Sequence, residues 1–519
     1  MAVWRVFWVP REVAQREVRR LPLEGWDDLA AREREVGVRA GDPIFVAPDY
    51  RVDALLSRYV QSRKFRTYTA ETRRNYATDI TLLLDFLWGR GRGWTEARPR
   101  DLEDYEHWRR FELSNPKRIS GSKWNRELAA VTSLYGWAVG NRAVERNPIQ
   151  MREVVGRYGE VILVAEAKAR DARPSNVHWL TPRTWRRWID VGLRGRGMDG
   201  LPEPGWTARL EDRNVAFVNV LRSSGLRRGE GGSLLTFEVP QRGLDGGRYY
   251  RGKIDAAVTR AKKTRTFYVA SDAIGDVEAY AESSRALAVR AAQKAGRYEA
   301  LPELRIVTEV TRGLNPVVRW RDQDGVEGRR LLSQLTVEER TLLFTEGRGG
   351  LEPLWLWLNE RGLPFHPHSW DGVFRTANQR CERVLTPPER LRLDPHKVYA
   401  PYATVHSARH SFALFMLVVL DRLMDQRYGL TPEERRDFRQ LYGDPWFMVQ
   451  NLLGHVTRET TVERYLAPVA DLNLRAMLAN AETPLAAPMP ELDAVFARVA
   501  AESEGIQDID DRMLCAEEG

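Results

Sequence analysis

Apolar residues fall at two different periods along this chain, and the change of period divides it. From about Val52 to Pro148 the spacing is helical. Tyr76, Ile80, Leu83, Leu84 and Leu87 share one face of a helix predicted over 69–88, with Thr69 placed to cap its amino end. Trp124, Leu128, Val131, Tyr135 and Ala138 do the same over 124–139, and Asn147-Pro148 stops the pattern because proline cannot continue a helix. This predicts a small all-helical domain, residues 49–150. Residues 1–48 precede it as an extension of unassigned role, with a helix over 26–36 and a turn at Gly41-Asp42-Pro43. Residues 151–176 become polar and charged, as in an exposed linker.

A second domain is predicted over 177–470. Helical spacing resumes at 181–191 and 215–221, strand-like stretches follow at 234–239, 248–258 and 265–270, and 276–294 reads as a helix. Residues of about 300–345 read as an insertion containing a hairpin. Its strands, 317–321 and 326–332, flank the turn Asp322-Gln323-Asp324-Gly325. Helices dominate 369–465, and the segment 471–519 ends in an acidic tail with Asp508, Asp510, Asp511, Glu517 and Glu518. The expected fold class is mainly α with a small antiparallel β-sheet, α+β.

Composition narrows the function classes. A length of 519 residues suits roughly two to four domains. No apolar run reaches the length of a membrane span, and the amino end has no secretory signal pattern, so a cytoplasmic protein without a membrane partner is expected. Cys381 and Cys515 lie too far apart in sequence to suggest a disulfide framework or a cysteine zinc site. The net charge of +8 favours an anionic partner, with nucleic acid the commonest. Basic residues cluster in Arg63, Lys64, Arg66, Arg73 and Arg74 and again in Lys117, Arg118, Lys123 and Arg126. Each cluster reads either as a solvated helix face or as a DNA contact. Only nine of the 80 basic residues are lysines, so each lysine stands out.

Three separated stretches carry candidate chemistry. In Ser224-Gly225-Leu226-Arg227-Arg228-Gly229-Glu230 a glycine turn can present Arg227 inward with Glu230 as its partner, which by itself reads as a structural ion pair. His406 and Arg409 open an apolar helix and, three residues apart, share a face. Leu453-Gly454-His455 ends another apolar helix, and Tyr465 follows ten residues later.

Together these stretches resemble the motifs of the tyrosine recombinase, or phage-integrase-type, family. Arg227 with Glu230 is similar to the family's Gly-Leu-Arg-x-x-Glu motif, His406 with Arg409 to His-x-x-Arg, and His455 with Tyr465 to Leu-Gly-His and the nucleophile. The interval from histidine to tyrosine is ten residues here against the family's usual nine. The resemblance covers about 50–470. It implies a helical SAM-like core-binding domain followed by a catalytic domain, and a site-specific recombinase acting through a covalent 3′-phosphotyrosine in integration, excision or transposition of a mobile element. It also implies a hairpin lysine between the first two motifs. Lys262 is favoured, with Lys263 and Lys253 open, because arginine is a poor proton donor. Implied partners are double-stranded DNA, further copies of the chain in a tetramer on DNA, and other recombinases or accessory proteins. No metal or other cofactor is required.

Two other readings compete. His406 and His410 are four apart on a helix and His366 with His368 could add metal ligands, but Ser407 stands where a His-Glu-x-x-His hydrolase needs glutamate. A DNA-binding protein on a recombinase scaffold, without catalysis, would lack a member of the set.

Overall fold

The computed structural model describes residues 3–9, 35–155, 160–171, 179–207, 209–243, 246–301, 303–311, 313–386, 400–426, 445–454, 494, 496–497, 500 and 506–508. Two compact units divide the chain, Met1–Ser175 and Asn176–Gly519.

Helices Ala54–Gln61, Arg63–Thr67, Ala70–Trp88, Pro99–Arg110 and Gly121–Gly140 build the first unit. Thr69 caps Ala70–Trp88 by accepting the Thr72 N–H, as expected, and Ser120 caps Gly121–Gly140 through the Lys123 N–H. Ile80, Leu83, Trp124, Leu134 and Tyr135 fill the core between these two long helices. The stretch expected as an amino-terminal extension pairs strand Arg5–Trp8 with Pro43–Val46, and the Trp4 N–H donates to Asp85 at 2.7 Å. Most of the helix expected over 26–36 lies outside the described residues. The expected linker folds against the same unit. Its strands Met151–Val155 and Val161–Ala165 form a hairpin, and Asn125 exchanges hydrogen bonds with both the N–H and the carbonyl of Ala169. Ala165 and Ala169 are buried there, a packing that the polar composition hid.

The second unit is built around helix Glu211–Ser224, whose faces are covered by Ser271–Tyr280, Val405–Gln426 and the antiparallel hairpin Tyr249–Ile254/Arg265–Ala270. The strand expected over 234–239 is instead an isolated bridge at Leu235 followed by a 3-10 turn, Thr236–Glu238, and the strand expected over 248–258 ends at Ile254. The predicted hairpin forms as Val317–Asp322 with Glu327–Leu331, but it is part of a larger sheet. That sheet runs Glu327–Leu331, Val317–Asp322, Arg305–Val310, Leu343–Gly347, Gly350–Pro353, and its pairing of Leu343–Gly347 with Arg305–Val310 is parallel. The antiparallel pairing expected of the hairpin is present, and this parallel one was not foreseen. Leu304, Val318, Leu335, Leu343 and Phe344 of this region belong to the unit's main core. Near the carboxyl end, Ile506–Gln507 pairs with Trp179–Leu180, and Asp508 of the acidic tail accepts from Thr181 at 2.8 Å and pairs with Arg183. Among the described residues no helix is long and apolar enough to cross a membrane.

One buried ion pair fastens the large sheet to the rest of the unit. Arg340, fully buried, reaches Glu238 at 2.7 Å and the carbonyls of Ser233 and Leu335 at 3.3 Å. Removing one partner strands a buried charge. Arg340→Met is expected to cost about 3–5 kcal/mol in urea unfolding, with most of the loss recovered when Glu238→Leu is added.

Candidate active site

The site begins where helix Glu211–Ser224 must end. Gly225 closes it in the left-handed region at φ +63°, and a Cβ there would sit 2.4 Å from Phe412 Cδ1 and 3.2 Å from Leu453 Cδ2. Glycine therefore satisfies both the backbone and the packing. Past this turn Leu226 is buried, and Arg227 caps the short helix Arg228–Gly232 from an extended backbone.

Glu230 is the centre of the arrangement. It is 1% exposed and accepts the Arg227 N–H at 2.9 Å, Arg227 Nη1 at 3.0 Å and Arg265 Nη2 at 2.5 Å. Burial alone would raise its pKa. The guanidiniums of Arg265, Arg409 and Arg227 outweigh that and hold the carboxyl below its ordinary value.

Arg409, 0% exposed, donates to the Gly225 carbonyl and, at 2.5 Å, to the Leu453 carbonyl. It thereby joins the turn before Arg227 to the end of helix Pro445–Leu453. The side chain of Arg227 remains 23% exposed, and it is the guanidinium of this group most open to an incoming anion.

His406 lies one turn before Arg409, exposed at the surface of the site but surrounded by protein. Desolvation, then the positive charges of Arg409, Arg227, Arg260 and Arg228, push its pKa down to about 4, so the ring is neutral at neutral pH. His410 is buried behind it, with the His406 ring edge-on at 4.5 Å and Trp179 at 5.8 Å. His366 and His368 stack on one another, and His368 Nδ1 meets Arg228 at 2.9 Å. Among the described residues no three His, Cys, Asp or Glu side chains gather as a metal site.

The lysines lie on the hairpin and its loop. Lys262 sits in the loop at φ +52°, its Nζ donating to the Ala257 carbonyl at 3.1 Å, and Lys263 is exposed beside it. Lys253, opposite Thr266 in the ladder, donates to the Leu314 carbonyl at 2.6 Å. His455 and Tyr465 lie outside the described residues, and Gly454, just before them, is described at φ +64°.

Among the first unit's basic residues, Arg66 pairs with Asp42 at 2.6 Å and Arg73 donates to the Gly41 carbonyl at 3.3 Å. Lys123 and Arg126 meet the fully buried Asp79 at 2.7 and 3.1 Å. Arg63, Lys64 and Arg74 are exposed.

Sequence reasoning missed Arg265. A signal existed, since strand alternation puts position 265 in phase with the buried Phe267 and Val269, and an arginine on that face calls for an acidic partner.

Residues 58–141, within the helical part of the first unit, match the family model described as phage integrase, N-terminal SAM-like domain. That match places a domain similar to the phage-integrase SAM-like domain in the first unit and does not extend into the second. Two solved structures of the XerH site-specific recombinase also match, each at 11% identity and a TM-score of 0.39. One is a post-cleavage complex with palindromic difH substrate, covering 82% of this chain and 85% of that one. The other is a pre-cleavage complex with difH substrate, covering 83% and 86%. Likeness at that level fixes no residue's role. No curated protein sequence matches the chain.

Two outcomes test this geometry. Gly225→Ala should destabilise the protein by roughly 2–5 kcal/mol, combining a left-handed backbone with overpacking against Phe412. Gly229→Ala, where a Cβ meets nothing within 4 Å, should be close to neutral in the same denaturant titration. In an NMR titration the His406 ring should protonate near pH 4 rather than at the ordinary 6.5. Because the folded pKa is the lower one, falling pH favours the unfolded chain from about 6.5 downward and the penalty levels off below 4.

Proposed function

We propose that this protein is a site-specific DNA recombinase that cuts and rejoins strands through a covalent 3′-phosphotyrosine at Tyr465, serving integration, excision or transposition of a mobile element. The observation that carries this reading is the meeting of Arg227, Arg265 and Arg409 around one buried carboxylate, at the end of the helix that leads into His455. Three guanidiniums against one carboxylate leave a surplus of positive charge, and a phosphodiester supplies the anion it lacks. The SAM-like domain supports the same reading.

In this mechanism the Tyr465 oxygen attacks phosphorus and the bond to the 5′ oxygen breaks. Arg227 binds non-bridging oxygens and compensates the charge that builds in the transition state. Arg409, held against two carbonyls, fixes the floor of the site and adds its field. The departing 5′ oxygen takes a proton from a hairpin lysine, Lys262 before Lys263 or Lys253. His406, neutral in the free protein, can accept a proton or a hydrogen bond, and His455 assists at the phosphate. Glu230 orients Arg227 and does not react. The phosphotyrosine conserves the bond energy, so a 5′ hydroxyl from another strand can reverse the step without metal or ATP.

The partners are double-stranded DNA and further copies of the chain, a tetramer on DNA, and the protein acts in the cytoplasm. Arg63, Lys64 and Arg74 are the exposed cations of the first unit best suited to phosphates. Arg66, Arg73, Lys123 and Arg126 are engaged with the protein's own acids and carbonyls.

A suicide substrate that traps cleaved DNA tests the reading. Wild type should yield a denaturation-resistant protein–DNA adduct, insensitive to chelators, and Tyr465→Phe should yield none. An adduct that persists in the mutant, or none from wild type, would overturn it.

A further inference from the structure

Arg265 lies outside the motifs of the family resemblance, yet it touches two of the segments that carry them. Its Nη2 meets Glu230 at 2.5 Å, and its Nη1 donates to the Leu452 carbonyl at 3.1 Å. The stem is held as closely as the head, since a Cβ on Gly454 would come 2.6 Å from Arg265 Cδ. That glycine, one residue before His455, leaves room for this side chain. The Leu452 carbonyl belongs to the last turn of helix Pro445–Leu453, where carbonyls lack helical partners and a cation is favoured. On its own element, Arg265 is the first residue of the second hairpin strand, paired with Ile254. Fixing that pair fixes both ends of the loop that carries Lys262 and Lys263, and Lys253 is the next residue along the first strand.

We propose that Arg265 is a positioning residue that latches the lysine-bearing hairpin to the end of helix Pro445–Leu453, so that the proton donor and the segment entering His455 are held in one register. The inference rests on the recombinase reading above. Glu230 already has Arg227 as an ion-pair partner, whereas Arg265 is what ties that carboxylate to the Leu452 carbonyl. Only a planar fork serves both acceptors at once. A lysine keeps the charge at Glu230 but offers a single ammonium.

The latch acts on proton delivery, and the leaving group reads it out. Full-length wild type and Arg265→Lys would be given suicide duplexes in which oxygen or sulfur bridges the scissile phosphorus to the 5′ carbon. With oxygen, the bond from the tyrosine oxygen to phosphorus forms, the bond to the 5′ oxygen breaks, and that oxygen takes the lysine proton. With sulfur, the bond from phosphorus to sulfur breaks and a thiolate departs without needing one. Arg265→Lys should form adduct on the order of 100-fold more slowly than wild type on the oxygen duplex and within about fivefold of it on the sulfur duplex. Arg265→Gln should show the same preference for the sulfur leaving group. Equal slowing on both duplexes, no slowing on the oxygen duplex, or weakened binding of uncleaved duplex would each overturn the latch. Wild type forming no adduct on either duplex would instead remove the recombinase reading, a separate result.

Discussion

Everything in the second unit's site depends on keeping the Glu230 carboxylate ionised inside protein. Withdrawing such a group from water costs several kcal/mol unless charge and hydrogen bonds replace the lost hydration. Here the replacement comes from segments far apart in sequence: Arg227 at the turn, Arg265 on the hairpin and Arg409 on helix Val405–Gln426. The carboxylate is fully compensated only when these segments have come together. Folding and site assembly are in that sense one event, and the cost of burying the acid is also what makes the arrangement specific.

The same economy explains much of the basic composition. In the first unit, the buried Asp79 is met by Lys123 and Arg126, and the buried Glu127 by Arg109 at 2.7 Å and Lys123 at 3.1 Å. In the second, Arg285 donates to the carbonyls of Pro353, Trp355 and Leu356, and Arg213 stacks over Phe365 while bonding the Leu358 carbonyl. An arginine fork can bridge two or three acceptors on different segments, which an ammonium does less well. Net charge therefore overstates the cation available to a nucleic acid, because many guanidiniums are internal staples.

What could be read from the sequence follows from the range of the forces involved. Helix Ala70–Trp88 with its Thr69 cap, and the hairpin around Asp322 to Gly325, are set by neighbours within a few residues, and both form as expected. The parallel pairing of Arg305–Val310 with Leu343–Gly347 joins strands more than thirty residues apart, and no local pattern announces it. Residues 300–345 read as an insertion with a hairpin, and Phe344 and Val318 there are as buried as any residue in the core. Arg227, Glu230, His406 and Arg409 were singled out by motif spacing, and the structure brings them near one another. Arg265 was not, because its importance lies in a partner 35 positions away. The pairing of Lys123 and Arg126 with Asp79 was hidden for the same reason, since that acid lies on another helix.

His406 shows how the site and its ligand are coupled. Its ring is neutral because protein has displaced water around it and because four arginines face it. An anion bound at Arg227 changes the second of these terms, since it offsets the positive field without restoring solvent. The proton affinity of His406 must then rise as the anion arrives, and by linkage the anion must bind more tightly as the ring takes up a proton. A phosphodiester entering the site would in this way both neutralise the surplus charge around Glu230 and turn the neighbouring ring toward its protonated, hydrogen-bond-donating form. An isolated histidine with the ordinary pKa would be partly charged before any ligand came. Burial first, and the crowded arginines second, keep His406 neutral, and only the second contribution would be lifted by a bound anion.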